Sequence, residues 1–138
     1  MKRNYCPATY IIAGFILAIA GCQLESPAPP KGPRLAPVTG VVTLNGKPLE
    51  RANVKFESFE SAVSTGLTDA DGRYELRYVG NEIGAPIGGH IVRIEMEYRP
   101  YFDKERPKPL PVRYNEESQV KVRVKDGQNE YNFDLQSP

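Results

Sequence analysis

The run Val38-Thr39-Gly40-Val41-Val42-Thr43-Leu44 alternates with period two and ends on the turn signal Asn45-Gly46-Lys47-Pro48. Val38, Gly40, Val42 and Leu44 share one side, and Thr39, Val41 and Thr43 the other. That is the pattern of a strand with one face in a core. The signature recurs downstream. Val54 and Phe56 alternate with Asn53, Lys55 and Glu57; Tyr74, Leu76 and Tyr78 with Arg73, Glu75 and Arg77; Val92, Ile94, Met96 and Tyr98 with Arg93, Glu95 and Glu97. Val120, Val122 and Val124 alternate with Lys121, Arg123 and Lys125, and Tyr131, Phe133 and Leu135 with Asn132 and Asp134. A shorter strand is predicted over 64–68. Turn signals separate the runs, among them Asp69-Ala70-Asp71-Gly72, Gly84-Ala85-Pro86, Gly88-Gly89 and Asp126-Gly127. No window of 38–135 sustains a helical period. The fold predicted is all-β: a seven-stranded antiparallel β-sandwich built around one core, which is what about 100 residues supports.

Ahead of this domain the chain changes character twice. Lys2 and Arg3 open it, 11–20 is apolar or small throughout, and Leu17-Ala18-Ile19-Ala20-Gly21-Cys22 closes the stretch. An apolar run of this length suits a signal peptide and is short for a bilayer span, which needs about 20 residues. An aliphatic residue, two small residues and then cysteine resembles a bacterial lipobox. The resemblance implies a signal peptide over 1–21, cleavage before Cys22 and a diacylglyceryl thioether on that thiol, usually with a third acyl chain on the new amine. Residues 22–37 carry Pro27, Pro29, Pro30, Pro33 and Pro37, which block helix and sheet alike. They are expected to form a disordered spacer reaching up to about 45 Å from the lipid surface, with the domain proper over 38–138.

With Cys6 removed and Cys22 lipidated, no thiol is left for a disulfide or a cysteine nucleophile. Loss of Lys2 and Arg3 lowers the basic count from 18 to 16 against 17 acidic residues, a net charge near −1. That is no electrostatic footprint for nucleic acid, and no nucleic-acid partner is expected.

The stretches Thr39–Leu49, Ala52–Phe56, Thr68-Asp69-Ala70-Asp71-Gly72-Arg73-Tyr74-Glu75-Leu76 and Pro86–Ile94 resemble a carboxypeptidase regulatory-like domain. The resemblance spans 38–135 and implies a transthyretin-like sandwich with Ig-like Greek-key connections. Such domains occur on peptidases, on surface proteins and alone in short bacterial lipoproteins, and this chain looks most like the last kind. The role implied is non-enzymatic: an envelope lipoprotein, in the periplasm or at the cell surface, presenting a structural or protein-interaction module without a cofactor. Transthyretin-like folds also include hydroxyisourate hydrolases, which use several histidines and a C-terminal Tyr-Arg-Gly-Ser. This chain has one histidine and ends Asp134-Leu135-Gln136-Ser137-Pro138, which removes the basis for that activity.

Three features compete as sites. Asp69 and Asp71 place two carboxylates together as a weak calcium candidate, but position 12 counted from Asp69 is Gly80 rather than glutamate; the other reading is a tight hairpin. His90, the sole histidine, lies in the apolar-facing register of its strand, which points to a structural side chain more than a general base. No Gly-x-Ser-x-Gly elbow accompanies it. The segment 99–111 is long for a sandwich connection, and long loops are often functional. In it Arg99, Lys104 and Arg106 surround Tyr101 and Phe102, a composition suited to a protein, peptide or glycan contact; the alternative is a solvated crossover with its aromatics tucked onto the sheet edge.

Overall fold

The structure, a computed structural model, describes residues 32–60 and 62–138. The expected signal peptide, Cys22 and most of the Pro-rich segment lie outside the described residues. Eleven short strands follow one another: β1 Leu35–Ala36, β2 Val38–Leu44, β3 Lys47–Pro48, β4 Ala52–Ser58, β5 Val63–Leu67, β6 Arg73–Glu75, β7 Ala85–Pro86, β8 Gly88–Met96, β9 Lys121–Val124, β10 Asn129–Glu130 and β11 Phe133–Leu135. Single-turn 3-10 segments sit at Val79–Asn81 and Val112–Tyr114. The fold is all-β. Among the described residues no helix is long and apolar enough to cross a membrane.

The alternation read from the sequence sets which side chains go inward. In β4, Ala52, Val54 and Phe56 are fully buried while Asn53, Lys55 and Glu57 are only partly so. Val38, Gly40 and Val42 of β2, Tyr74 and Leu76 at β6, and Val92 and Ile94 of β8 are likewise buried. β2 is the centre of one sheet, flanked by β10 and β11 on one side and by β3 and β6 on the other. β4 and β8 are the centre of a second sheet, ordered β5-β4-β8-β9. β1 and β7 make a small antiparallel pair. On the free side of β5, its Thr65 exchanges backbone hydrogen bonds of 2.8 and 2.9 Å with Arg77, just after β6, which joins the two larger sheets along that side. The ring of Phe56 lies at the middle of the core, with ring centroids at 5.8 Å from His90 and Tyr131 and 6.4 Å from Phe133.

The expectation of seven antiparallel strands is corrected on two counts. Four additional two-residue strands (β1, β3, β7, β10) are too short to show a period. More important, β10 and β11 pair with β2 in parallel, Asn129 opposite Val38 and Phe133 opposite Val42. β9 belongs to the other sheet, so the turn at Asp126–Gly127 carries the chain across the core instead of closing a hairpin. The returning chain then runs beside β2 in β2's own direction. Asn129 locks the crossing. Its side-chain oxygen accepts the Lys125 amide at 2.9 Å, and its NH2 donates to the carbonyls of Lys125 (2.8 Å) and Gly127 (2.9 Å).

The paired chain also begins before the expected boundary at 38. Leu35 pairs with Pro86, Ala36 is buried opposite Ala85, and the Pro37 carbonyl accepts the Asn129 amide. The strand predicted from 92 in fact starts at Gly88 and stops at Met96.

The register places the two ends of the domain. Leu35–Ala36, Gly88 opposite Val124 and Asn129 opposite Val38 gather at the near end, where the described chain begins. Leu44 opposite Lys47, Ala52 opposite Met96 and Leu135 opposite Leu44 gather at the far end. The seven residues of β2 separate them by about 20 Å at 3.3 Å per residue.

Candidate functional site

The segment 97–111 leaves β8 at the far end and is held by one charge cluster. Arg51, in the turn before β4, has a left-handed backbone (φ 59°). Its conformation is fixed by its amide on the Thr68 carbonyl and by its own carbonyl, which accepts the Glu97 amide. The guanidinium then forks onto Asp103, donating at 3.0 and 2.7 Å to the two carboxylate oxygens, and also reaches Glu97 at 3.3 Å. Such a bidentate pair fixes geometry as well as charge. Asp103 in addition accepts the Arg99 amide at 2.7 Å, and its own amide returns to the Arg99 carbonyl. The Arg51 guanidinium, and after it the Arg99 amide, hold the Asp103 carboxyl down at about 2.

That brace turns the chain so that residues 101 and 102 stand clear of the domain. Tyr101 is 96% exposed and Phe102 80%. Arg99 lies over the Phe102 ring at 5.7 Å and Arg106 over the Tyr98 ring at 4.8 Å, both within cation–π range. Lys104 is exposed. Of the five residues expected to form the loop site, the structure thus brings Arg99 and Phe102 together, leaves Tyr101 and Lys104 projecting, and places Arg106 on the Tyr98 ring. The aromatics do not tuck onto the sheet edge.

The same segment walls a cleft of about 350 Å³. Leu44, Leu49, Met96 and Leu110 line it, with Pro107 and Pro109 at one side. The surface is mostly apolar, and among the described residues Lys108 carries the only charged side chain lining it. Neither the cleft nor the Arg51–Asp103 brace was visible in the sequence. Arg51 and Asp103 stand 52 positions apart, and an arginine in a turn carries no signal of its partner. The proline spacing over 107–111 is the one trace of the cleft wall.

Removing the brace has a defined expected outcome. Asp103→Ala is expected to raise amide exchange and tryptic cleavage over 99–106 while the melting temperature of the domain hardly moves. Parent-like exchange in that segment would contradict the brace. Because Asp103 titrates lower in the folded than in the unfolded chain, the ordering it provides is complete above about pH 3.9 and fades as pH falls toward about 2.

At the calcium candidate, Asp69 closes the turn between β5 and β6, strands of different sheets. Asp69 Oδ1 accepts the amides of Asp71 and Arg73, both at 2.9 Å, and the Asp69 carbonyl accepts the Gly72 amide. Among the described residues no three His, Cys, Asp or Glu side chains cluster to hold a metal ion.

His90 sits in the core with no solvent exposure. Its Nδ1 lies 3.1 Å from the Gly88 carbonyl, and Nε2 has no protein partner. Burial pushes its pKa below the usual 6.5, partly offset by that carbonyl. The folded chain therefore holds His90 neutral while the unfolded chain takes up a proton below about pH 6.5. Its contribution is complete above that pH and is lost as pH falls, at up to about 1.4 kcal/mol per pH unit. Urea titrations between pH 7 and 5 are expected to show a loss of stability toward pH 5 in the parent that is smaller in His90→Gln; parallel profiles would contradict it.

Comparison of the chain with protein-family models, with curated proteins and with solved structures finds no match.

Proposed function

We propose that this chain is a bacterial envelope lipoprotein, anchored through Cys22, that acts by contact rather than catalysis. In this reading its domain is a transthyretin-like sandwich of the carboxypeptidase regulatory-like kind, and the tip at 99–106 meets a protein partner. The observation that carries the proposal is the exposure of Tyr101 and Phe102 on a loop that Arg51 and Asp103 hold in place. A solvated crossover has no physical reason to keep two aromatic rings in water; a pre-ordered aromatic pair flanked by cations is the composition of an interface anchor. Bracing lowers the ordering cost on binding. The reading of the domain as a sandwich draws on the two larger sheets, β2-centred and β4–β8-centred, and on the resemblance over Thr39–Leu49 and Thr68–Leu76. The reading as a non-enzyme draws on the sole histidine lying inside the core.

A second reading, a ligand-binding module for peptide or glycan, gains support from the cleft beside the tip. Its apolar lining favours a short apolar peptide over a glycan.

The test is recovery of partner from envelope extracts on lipidated parent protein and on the double variant Tyr101→Ser/Phe102→Ser. Two truncated anchors of at least 2 kcal/mol each predict a more than tenfold loss of captured partner. Equal recovery would remove the tip from the interface.

A further inference from the structure

The far-end tip is not the only apolar surface on the domain. At the near end Phe59, Val63, Val79 and Ile83 are each between 44% and 68% exposed. They belong together. The isolated antiparallel bridges Thr65–Arg77 and Arg77–Ile83 lay the segments that carry Val63, Val79 and Ile83 side by side. Phe59, in the turn after β4, donates its amide to the Gly89 carbonyl, and its ring lies over Gly89, where an added Cβ would come within 2.7 Å of ring carbons.

This surface adjoins the point where the chain comes in. Ile83 precedes Gly84, whose amide bonds the Leu76 carbonyl and whose Cα packs so closely on Ala36 that a Cβ would lie 2.8 Å from the Ala36 carbonyl carbon. The cations nearby are already engaged, Arg34 with Asp126 at 2.7 Å and Arg77 with Glu75 at 2.9 Å. Arg93 is likewise engaged, with Glu57 at 2.8 Å beside Val63, and Glu82 stands exposed next to Ile83, so the attraction this surface offers a neutral bilayer is apolar contact, with carboxylates at its rim.

We infer that Phe59, Val63, Val79 and Ile83 form a face that rests on the lipid bilayer carrying the anchor, and that the domain stands with the 99–106 tip turned outward. The inference rests on the anchor at Cys22. Twelve residues separate Cys22 from Leu35, a tether of at most about 45 Å, and it ends beside this face. A tether that short keeps the face at high effective concentration near the membrane, so a weak apolar contact is enough to orient the domain. An orientation with the tip in the membrane would leave these four side chains in water and carry the tether past the length of the domain.

The chain has no tryptophan, so a single introduced one reports on its own surroundings. Val79→Trp and Tyr101→Trp, both at exposed positions, are placed in the lipidated full chain on phosphatidylcholine vesicles with and without brominated acyl chains. The expected result is a blue-shifted emission for Val79→Trp that loses most of its intensity to brominated lipid, and an unshifted, unquenched emission for Tyr101→Trp. Quenching at 101 but not at 79, or at neither, overturns the inference. The mass of the Cys22 peptide reports the anchor separately. If it carries no lipid, the same variants in a Cys6→Ser background, held to the vesicle by a maleimide lipid on Cys22, give the same two-way result for the face alone.

Discussion

Alanine at Gly40 is expected to destabilise the domain by about 3 kcal/mol or more, the upper end of the cost of overpacking a core. Gly40 faces inward at the middle of β2, where the chain between β10 and β11 crosses it. A Cβ there would overlap the Tyr131 carbonyl oxygen and lie 2.7 Å from its carbon and 2.9 Å from Tyr74 Cε1. None of these neighbours can withdraw freely. The Tyr131 amide is bonded to the Thr39 carbonyl at 2.9 Å, the Val41 amide to Asn132 Oδ1 at 2.8 Å, and the Tyr74 hydroxyl donates to the Tyr131 carbonyl at 2.7 Å. Burial of that hydroxyl raises its pKa well above the ordinary tyrosine value. Relief of the clash thus means breaking the parallel join that closes the first sheet. For a domain of this size the loss corresponds to about 12 °C or more in Tm. Urea unfolding should show a lower midpoint at unchanged slope, and Gly32→Ala, which meets nothing within 4 Å, should behave like the parent. A Gly40→Ala midpoint equal to the parent's would refute the close approach.

Replacement of Cys22 by serine is expected to have an all-or-none effect on location and none on the fold. Each buried methylene contributes about 0.8 kcal/mol, and two or three acyl chains hold a protein far more firmly than one. Without the thiol no thioether forms, so Cys22→Ser protein should fail to label with palmitate and leave the membrane fraction or accumulate unprocessed. Its unfolding midpoint should match the parent's, because among the described residues strand pairing starts at Leu35, well beyond position 22. A serine variant that still labels with palmitate would contradict the anchor.

The inward and outward sides of the main strands were legible because burial on one face imposes period two, and β2, β4 and β8 carry that period over seven or more residues. Direction was not legible. An alternating strand looks the same beside a parallel or an antiparallel neighbour, and what decided it was the Asp126–Gly127 crossing that Asn129 ties down. Gly88–Gly89 read as a turn yet opens β8, since the Phe59 ring occupies the space a side chain at Gly89 would need. Gly40 was placed on the inner side correctly, but its need to be glycine depends on a backbone about ninety positions away. At the site, the aromatic pair and its cations stood out by composition. The Arg51–Asp103 fork that makes the pair a fixed feature is a long-range contact, and local pattern is blind to it.

A photo-reactive phenylalanine analogue at position 101 of the lipidated chain, activated in intact envelopes, tests most directly whether a partner meets the domain at its far-end tip. The expected result is a discrete protein adduct at 101 that disappears when Phe102 is serine and is absent when the analogue replaces Thr65 on the outer sheet face. No adduct at 101, or the same adduct from both positions, would contradict the assignment of the tip as the interface.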